Sequence, residues 1–540
     1  MKDFRSCLKG LREMFKPVRG RVLVSVLIGL VRIAASLGFV WICKRLVDIA
    51  TGNIEAGLTA NAGIMVGIML LQLICGISAS YWENLTIVKT QNKLRLDTFA
   101  HVIKSRWNGR EAFHSGDMVN RLEEDIRIVV DLLCSRFPDI IITLCQLISA
   151  SIFLISMAPG LAWVLLILMF VAVVGSRLFF RTMRRLTDAI RAKDSEIQGY
   201  MQENLQNRIL VLTLTGTEKV LGKLGLLQKD VLGNTVTRLN YNAIARGFMS
   251  FGFLAGYGSA FLWGVFGIRS GAVTYGMMTA FLQLVGQVQR PIADISKHIP
   301  AFIHALTSIE RLMELDDLPL EECKSMIKVE DAPEIVIDDI SFAYPGQEKP
   351  VFKDFSYTFK GGRMTAITGL TGAGKSTLTK LILSLLTPQS GKITIGGREA
   401  CAGTRCNFMY VPQGNSLMSG TIRENLLLAK SDATEDELRD ALHSAVADFV
   451  FDLEKGLDTI CSEKGAGLSE GQAQRIAIAR SLLQKGGVLI LDEATSAVDA
   501  ETEKRLLENL NARFSGRKTI LFISHREAVT SFADDVLNVA

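Results

Sequence analysis

Six stretches of the chain carry almost no charge for about twenty residues each: 22–42, 62–81, 137–157, 161–180, 248–268 and 272–289. A hydrocarbon core of about 30 Å takes roughly twenty apolar residues to cross, so each run predicts a membrane-spanning helix. The third and fourth are separated only by Ala158-Pro159-Gly160, and the last two by Arg269-Ser270-Gly271. Those joints predict tight hairpins. Trp41, Trp82 and Trp163 stand near span ends, where interfacial anchors gather. After the second run the pattern becomes periodic rather than uniformly apolar. Residues 83–113 contain no proline and only one glycine, Gly109; at 1.5 Å per residue such a helix reaches about 45 Å past the membrane. Ser115-Gly116-Asp117 breaks it, and Met118, Leu122, Ile126, Val129 and Leu133 recur at helical spacing on the way back. A second hairpin turns near Asn207-Arg208-Ile209-Leu210, and the sixth span continues past Pro291 to Leu315.

Beyond that point the periodicity changes. Residues 316–331 are acidic and proline-bearing, as a linker would be. Strand-length apolar runs follow at Ile335-Val336-Ile337, Ile340-Ser341-Phe342, 364–368 and 488–491, interleaved with helical segments. The expected architecture is an all-α membrane domain of six helices with long cytoplasmic extensions (1–315), joined by the linker to a soluble α/β domain (332–540).

Composition refines this picture. At 540 residues, with 21% charged positions and a mean hydropathy of +0.27, the chain reads as a multi-pass membrane protein. A net charge of +5 is too mild to imply a nucleic-acid partner. The basic residues instead cluster after spans two and four, at Lys89, Lys93, Arg95, Lys104, Arg106 and Arg110, then at Arg181, Arg184, Arg185, Arg191 and Lys193. The positive-inside rule makes those segments, and both termini, cytoplasmic; a cell membrane is the expected site. The first 21 residues interleave basic positions with Phe4, Leu8, Leu11 and Phe15, the pattern of a helix lying in the membrane interface beside lipid. Nine cysteines are scattered without a disulfide framework. Cys43, Cys75, Cys134 and Cys145 serve most simply as small packing residues.

The candidate chemistry begins at Gly369-Leu370-Thr371-Gly372-Ala373-Gly374-Lys375-Ser376-Thr377. Fixed glycines, a lysine and a hydroxyl between a strand and a helix form a P-loop. Its backbone N–H groups cradle phosphates, its lysine neutralises β- and γ-phosphate oxygens, and its serine ligates Mg²⁺. ATP with Mg²⁺ is the expected cofactor set. Val488 to Leu491 is an uninterrupted apolar strand ending in Asp492-Glu493, and ligand groups collect at the carboxyl ends of such strands. Asp492 is placed to hold the metal and Glu493 to orient attacking water. A second anion site is expected where Leu468-Ser469-Glu470-Gly471-Gln472 opens a helix.

P-loop, Leu-Ser-x-Gly-Gln and Leu-Asp-Glu in this order resemble the ATP-binding cassette superfamily, and with six spans the whole chain is similar to its exporter-type half-transporters. The resemblance implies further roles. Tyr344 stacks on adenine, Gln413 links nucleotide state to the spans, His525 contacts the γ-phosphate, and Asp499 belongs to the D-loop. Glu463-Lys464-Gly465 resembles the exporter X-loop, and coupling helices are implied near 116–122 and 207–213. It also implies that Lys375 of one subunit and Ser469 of another sandwich one ATP. Intact Glu493, His525 and signature residues favour a homodimer over pairing with a different half-transporter. The chain stops within a strand after the His525 segment, where similar cassettes continue with a hairpin and terminal helices; a short C-terminus is therefore expected.

Intramembrane polar groups are candidate cargo contacts: Arg32 near the middle of the first span, then Gln72, Gln146, Tyr257, Gln283 and Gln287. Export of a small amphipathic molecule, lipid, drug or peptide by alternating access is the first reading. Import of a metal chelate on the same fold, and a nucleotide-regulated membrane protein that does not pump, stay open. Intact Glu493 counts against the last.

Overall fold

The computed structural model describes residues 4–107, 115–177, 180–321, 325–347, 349–370, 372–414, 416–461 and 467–539. The chain separates into two compact units. One comprises Met1–Phe99 and Val119–Asp316, the other Ala100–Met118 and Asp317–Ala540.

The helices of the N-terminal part are α1 (Phe4–Phe15), α2 (Arg19–Ala50), α3 (Leu58–Lys104), α4 (Ser115–Asn120), α5 (Ile126–Asp131), α6 (Phe137–Met157), α7 (Pro159–Arg177), α8 (Phe180–Gln206), α9 (Arg208–Thr213), α10 (Thr217–Arg269) and α11 (Tyr275–Asp316). Among the described residues, four continuous helices are long and apolar enough to cross a membrane: Arg19–Ala50, Leu58–Lys104, Gly116–Met157 and Thr217–Arg269. They contain the first, second, third and fifth apolar runs. The fourth run falls on α7 and the sixth on α11, where Gln283, Gln287 and Gln289 dilute the apolar character. Leu23, Leu27, Leu70, Leu73 and Ile77 are exposed on the outside of this unit. Inside, Gly252, Gly256, Ala260 and Gly264 are buried at every fourth position of α10, and small side chains at that spacing let helices approach closely. Val40, Ala150, Leu154, Phe281 and Leu284 fill the core beside them.

The return path from the first hairpin contains two π-helical turns, Arg121–Asp125 and Leu132–Arg136. The first directs two charged residues inward. Asp125 accepts from Ser308 Oγ at 2.7 Å and lies 3.4 Å from Arg311. Arg121 donates to the Arg311 carbonyl at 2.9 Å and to Glu314 at 2.7 Å. Buried charge is costly unless paired, so this network holds the return helix against the C-terminal end of α11.

The second unit is a two-sheet α/β cassette. Its strands are β1 (Ile335–Phe342), β2 (Phe352–Phe359), β3 (Met364–Thr368), β4 (Ser390–Ile395), β5 (Arg398–Glu399), β6 (Phe408–Val411), β7 (Gly420–Thr421), β8 (Ile460–Cys461), β9 (Val488–Asp492), β10 (Thr519–Ile523) and β11 (Asp535–Asn538). Its helices are α12 (Lys375–Ile382), α13 (Ile422–Leu427), α14 (Glu435–Ser444), α15 (Phe449–Asp452), α16 (Glu470–Leu482), α17 (Ala500–Phe514) and α18 (Glu527–Phe532). The central sheet runs β11-β3-β10-β9-β6, with parallel pairing throughout. Every residue of β9 and β10 is buried, because both faces are covered. One face packs on α13, α14, α16 and α17, the other on α12 and the antiparallel sheet β2-β1-β4-β5. The runs at 335–337 and 340–342 form one strand, not two. Asp339 takes φ 52° and the register shifts there against both neighbours, a bulge within a continuous strand.

The tip of the first hairpin belongs to this unit. Ser105 bridges Leu320, the Arg106 N–H donates to the Pro319 carbonyl at 2.8 Å, and the Arg106 guanidinium bonds Thr387. Trp107 packs on the cassette core with the Lys380 ammonium 5.1 Å from its ring centroid. The described contact is thus made upstream of 116–122; residues 108–114 lie outside the described residues.

Candidate ATP site

Gly374 at the end of the P-loop has φ +101°, which L-residues avoid. A β-carbon there would sit 2.6 Å from Val351 and 3.0 Å from the Phe352 ring. No other residue fits, and the tight turn aims the start of α12 at the loop. Lys375 is 6% exposed; its Nζ donates to the Gly369 carbonyl at 2.8 Å and the Leu370 carbonyl at 3.0 Å. An ammonium has three protons, so one is left for an anion. Tyr344 bonds Thr377 through its hydroxyl at 3.1 Å and meets Phe342 edge-on. Its ring therefore stands beside the first turn of α12, a position equally suited to anchoring the strand end. Thr371 lies outside the described residues, as do Glu463, Lys464 and Gly465.

Asp492 and Glu493 end β9 as two different carboxylates. Asp492 is 2% exposed, receives a hydrogen bond from Ser376, and has one oxygen, Oδ1, buried with no partner. Burial, reinforced by the neighbouring Glu493, pushes its carboxyl up to about 6. Glu493 is held in the left-handed region at φ 50°, a conformation that costs a non-glycine residue about 1–3 kcal/mol. Its N–H is fixed by the Ile523 carbonyl at 3.0 Å. Gln413 Nε2 donates to one carboxylate oxygen at 2.7 Å, and His525 Nε2 lies 3.5 Å from the other. The three candidate catalytic side chains are therefore assembled at the ends of β6, β9 and β10.

Ser469 caps α16. Its hydroxyl accepts from the Gln472 N–H at 3.2 Å, while the Gln472 side chain accepts from the Ser469 N–H at 2.9 Å. Glu470 begins the helix and Leu468 packs on the core beneath it. A β-carbon on Gly471 would lie 2.6 Å from the Ala497 carbonyl, so the helix start and the segment after Glu493 pack backbone to backbone. Asp499 caps α17 by accepting from the Thr502 N–H at 2.9 Å, and that bond holds its carboxyl below the usual range.

Two family descriptions match the chain: an ABC transporter transmembrane region over residues 22–292 and an ABC transporter domain over 352–496. The chain belongs to the ATP-binding cassette transporter family. It is an integral membrane protein whose cassette hydrolyses ATP in step with transport. Among its relatives are an uncharacterised ABC transporter ATP-binding protein of Sinorhizobium fredii (28% identity, covering 98% of this chain and 91% of that protein) and an ATP-dependent lipid A-core flippase of Vibrio cholerae (26%, 98% and 92%). A putative multidrug export ATP-binding/permease protein of Bacillus subtilis shares 25% identity over 98% of this chain and 94% of its own length. The fold is also that of a bacterial Atm1-family ABC exporter with ATP bound, at a TM-score of 0.80 and 23% identity, covering 97% of this chain and 94% of that one. This transporter thus sits among exporters, and one membrane domain with one cassette per chain points to pairing with another half-transporter.

The transporter's candidate cargo residues divide into two groups. Gln72 donates to the Ala35 carbonyl at 3.0 Å, Gln287 to Ser36 Oγ at 2.9 Å, and Gln283 bonds Cys43. All three are turned onto α2, where they tie helices together; Gln287 Oε1 stays buried without a partner. Arg32 and Tyr257 are exposed and Gln146 half-buried.

Three residues that brace the segment after Glu493 escape the motif reading. Arg526, next to His525, donates to the Ser496 carbonyl at 2.7 Å, the Val498 carbonyl at 2.7 Å and Glu503 at 3.0 Å. Glu503 is 1% exposed and also accepts from Thr495. From the other side Gln474 donates to Ser496 and accepts from the Ala497 N–H. One clue was in the sequence: Glu503 falls on the apolar stripe of Leu506, Leu507, Leu510 and Phe514, where an acid needs a buried cation.

Proposed function

We propose that two copies of this chain form an ATP-driven exporter of an amphipathic molecule of the lipid or drug class. One observation carries the reading: the cassette has two anion-binding helix starts, α12 behind the P-loop and α16 behind Ser469, on separate elements. Head-to-tail pairing would put Lys375 of one copy and Ser469 of the other on one triphosphate, giving ATP contacts that exist only in the closed dimer. Such differential binding is what a ligand-driven closure requires. Exposed apolar residues on α9 (Ile209, Leu210 and Leu212) supply a surface for the second copy to cover. Intact Glu493, His525 and signature residues support two equivalent sites.

Within each site Glu493 accepts a proton from, and orients, the attacking water, with Gln413 and His525 fixing its two oxygens. Lys375 and the loop N–H groups take up charge on the phosphates. A divalent cation fits the unpartnered Asp492 oxygen beside the Ser376 hydroxyl and the Gln413 amide, since hard cations favour oxygen donors completed by substrate phosphate and water. When bound, Mg²⁺ supplies neutralisation of the phosphate oxygens. In the membrane, α7 and α11 complete six spans, with the basic segments and both termini cytoplasmic; the exporter and flippase relatives support outward movement.

The test is transport into inverted vesicles carrying wild type or Glu493→Gln, with a panel of lipids, drugs and peptides. ATP-dependent accumulation by wild type alone is expected, with hydrolysis in Glu493→Gln reduced by about 10²-fold or more. ATP-driven depletion of preloaded vesicles would reverse the direction, and hydrolysis without movement of any compound would remove the export reading.

A further inference from the structure

We infer that the cleft between α1 and the start of α6 is a binding site for a phospholipid with an anionic headgroup. Lys9 and Arg12 take the phosphate, and an acyl chain lies on Phe15, Leu133 and Phe137. A cavity of about 460 Å³ is lined by these residues and Leu11, within the range of roughly 300–1,000 Å³ usual for small-molecule sites. Its walls are mostly apolar, with two cations at the rim.

Three contacts fix the height of this cleft relative to the bilayer. Trp82, at the end of the second apolar run, donates from Nε1 to the Arg21 carbonyl at 3.0 Å, just before the first run begins. Ser135 donates to Glu83 at 2.6 Å, and Phe15 meets Phe137, the first residue of the third run, edge-on at 5.5 Å between centroids. Three span ends therefore converge beside α1. That is the membrane–water boundary, where an aromatic anchor such as Trp82 belongs and where phosphate headgroups lie.

The rim is built rather than incidental. Gly10 is buried, and a β-carbon there would sit 2.5 Å from Met313 Sδ of α11. The helix is thereby fixed in rotation, which holds Lys9 and Arg12 at the cleft. Both are exposed, and neither has a carboxylate partner among the described residues. Between Lys9 and Arg21 the only acid is Glu13, against five basic residues, and Glu13 does not line the cavity. An anionic headgroup supplies the missing negative charge. A zwitterionic choline headgroup would bring its own cation against Lys9 and Arg12. The cleft is separate from the ATP site, so the inference holds whatever the cargo is.

The experiment is native mass spectrometry of the full-length protein, titrated with phosphatidylglycerol or phosphatidylcholine in detergent. Wild type should retain phosphatidylglycerol in preference to phosphatidylcholine. Each surface cation contributes roughly a fivefold change in binding, so the K9Q/R12Q double variant should lose about 25-fold. K16Q/R19Q, which removes equal charge outside the cleft, should lose far less. Equal losses in the two variants, or equal retention of both lipids by wild type, would overturn the site. A phosphatidylglycerol carrying a photoreactive acyl chain gives a readout that needs no variant. Labelling of peptides containing Phe15 and Phe137 is expected, and labelling confined to other spans would also overturn it.

Discussion

At the scale of single residues, the ATP site is a set of side chains whose neighbours dictate their state. Glu493 is strained into a left-handed backbone conformation and then held by Gln413 and His525, while Asp492 is sealed behind it with one oxygen unpartnered. Arg526 extends this control to the next loop. Its guanidinium spans two carbonyls and one oxygen of the buried Glu503 carboxylate, so Arg526→Ala leaves that oxygen and two carbonyls without their donor. We expect a loss of on the order of 2 kcal/mol in cassette stability, read as a lower melting midpoint of the full-length protein. Arg526→Lys should recover part of the stability but less of the ATPase rate. An ammonium restores charge but lacks the planar fork that spans three acceptors. Equal recovery of both would reduce Arg526 to a counter-ion. Lys375 and Ser376 were candidates legible in the sequence because a P-loop needs fixed residue types at fixed spacing, and Asp492 and Glu493 because they close an uninterrupted apolar strand. Arg526 was not, because its partners are 23 to 30 residues away in sequence and meet only when α17 and β10 pack.

At the scale of elements, long apolar and amphipathic periodicity foretold the helices well. Runs at 22–42, 62–81, 137–157 and 248–268 fall within helices able to span a membrane. Two features needed the fold. The bulge at Asp339 merges two apparent strands into β1, a local backbone choice enforced by pairing on both sides. The docking of the first hairpin was the other. Family resemblance implies a coupling segment near 116–122; just upstream of it, Arg106 and Trp107 make contacts with Thr387 and Lys380 that no motif announces. In sequence, a tryptophan near a helix end reads equally as a membrane anchor, and only tertiary contact distinguishes the two. Trp107→Ala should leave ATP binding unchanged while lowering the number of molecules moved per ATP hydrolysed. Parallel transport and phosphate-release assays would show this; an unchanged ratio would mean that Trp107 is packing alone.

At the scale of the whole molecule, the proposed functional unit is the pair. Mixing Lys375→Ala chains with Ser469→Arg chains tests it. Each variant alone would have no intact composite site, whereas a mixed dimer would combine the unaltered Lys375 of one chain with the unaltered Ser469 of the other. Co-expression should therefore restore hydrolysis to a fraction of the wild-type rate, and failure of correctly paired mixed dimers to hydrolyse ATP would argue against site sharing.

The sequence by itself determined the fold class, the membrane character and the nucleotide chemistry. Hydropathy periods and short-range motifs depend on residues close in the chain, where 3.6-residue spacing and P-loop geometry leave little choice. Only the tertiary structure decided which polar membrane residues bind their neighbours, as Gln72, Gln283 and Gln287 do on α2, and which stay exposed, as Arg32 does. It alone assembled the cleft beneath α1 and the brace around Glu503. Those features join groups brought together by packing, and a one-dimensional pattern carries no record of which faces will meet.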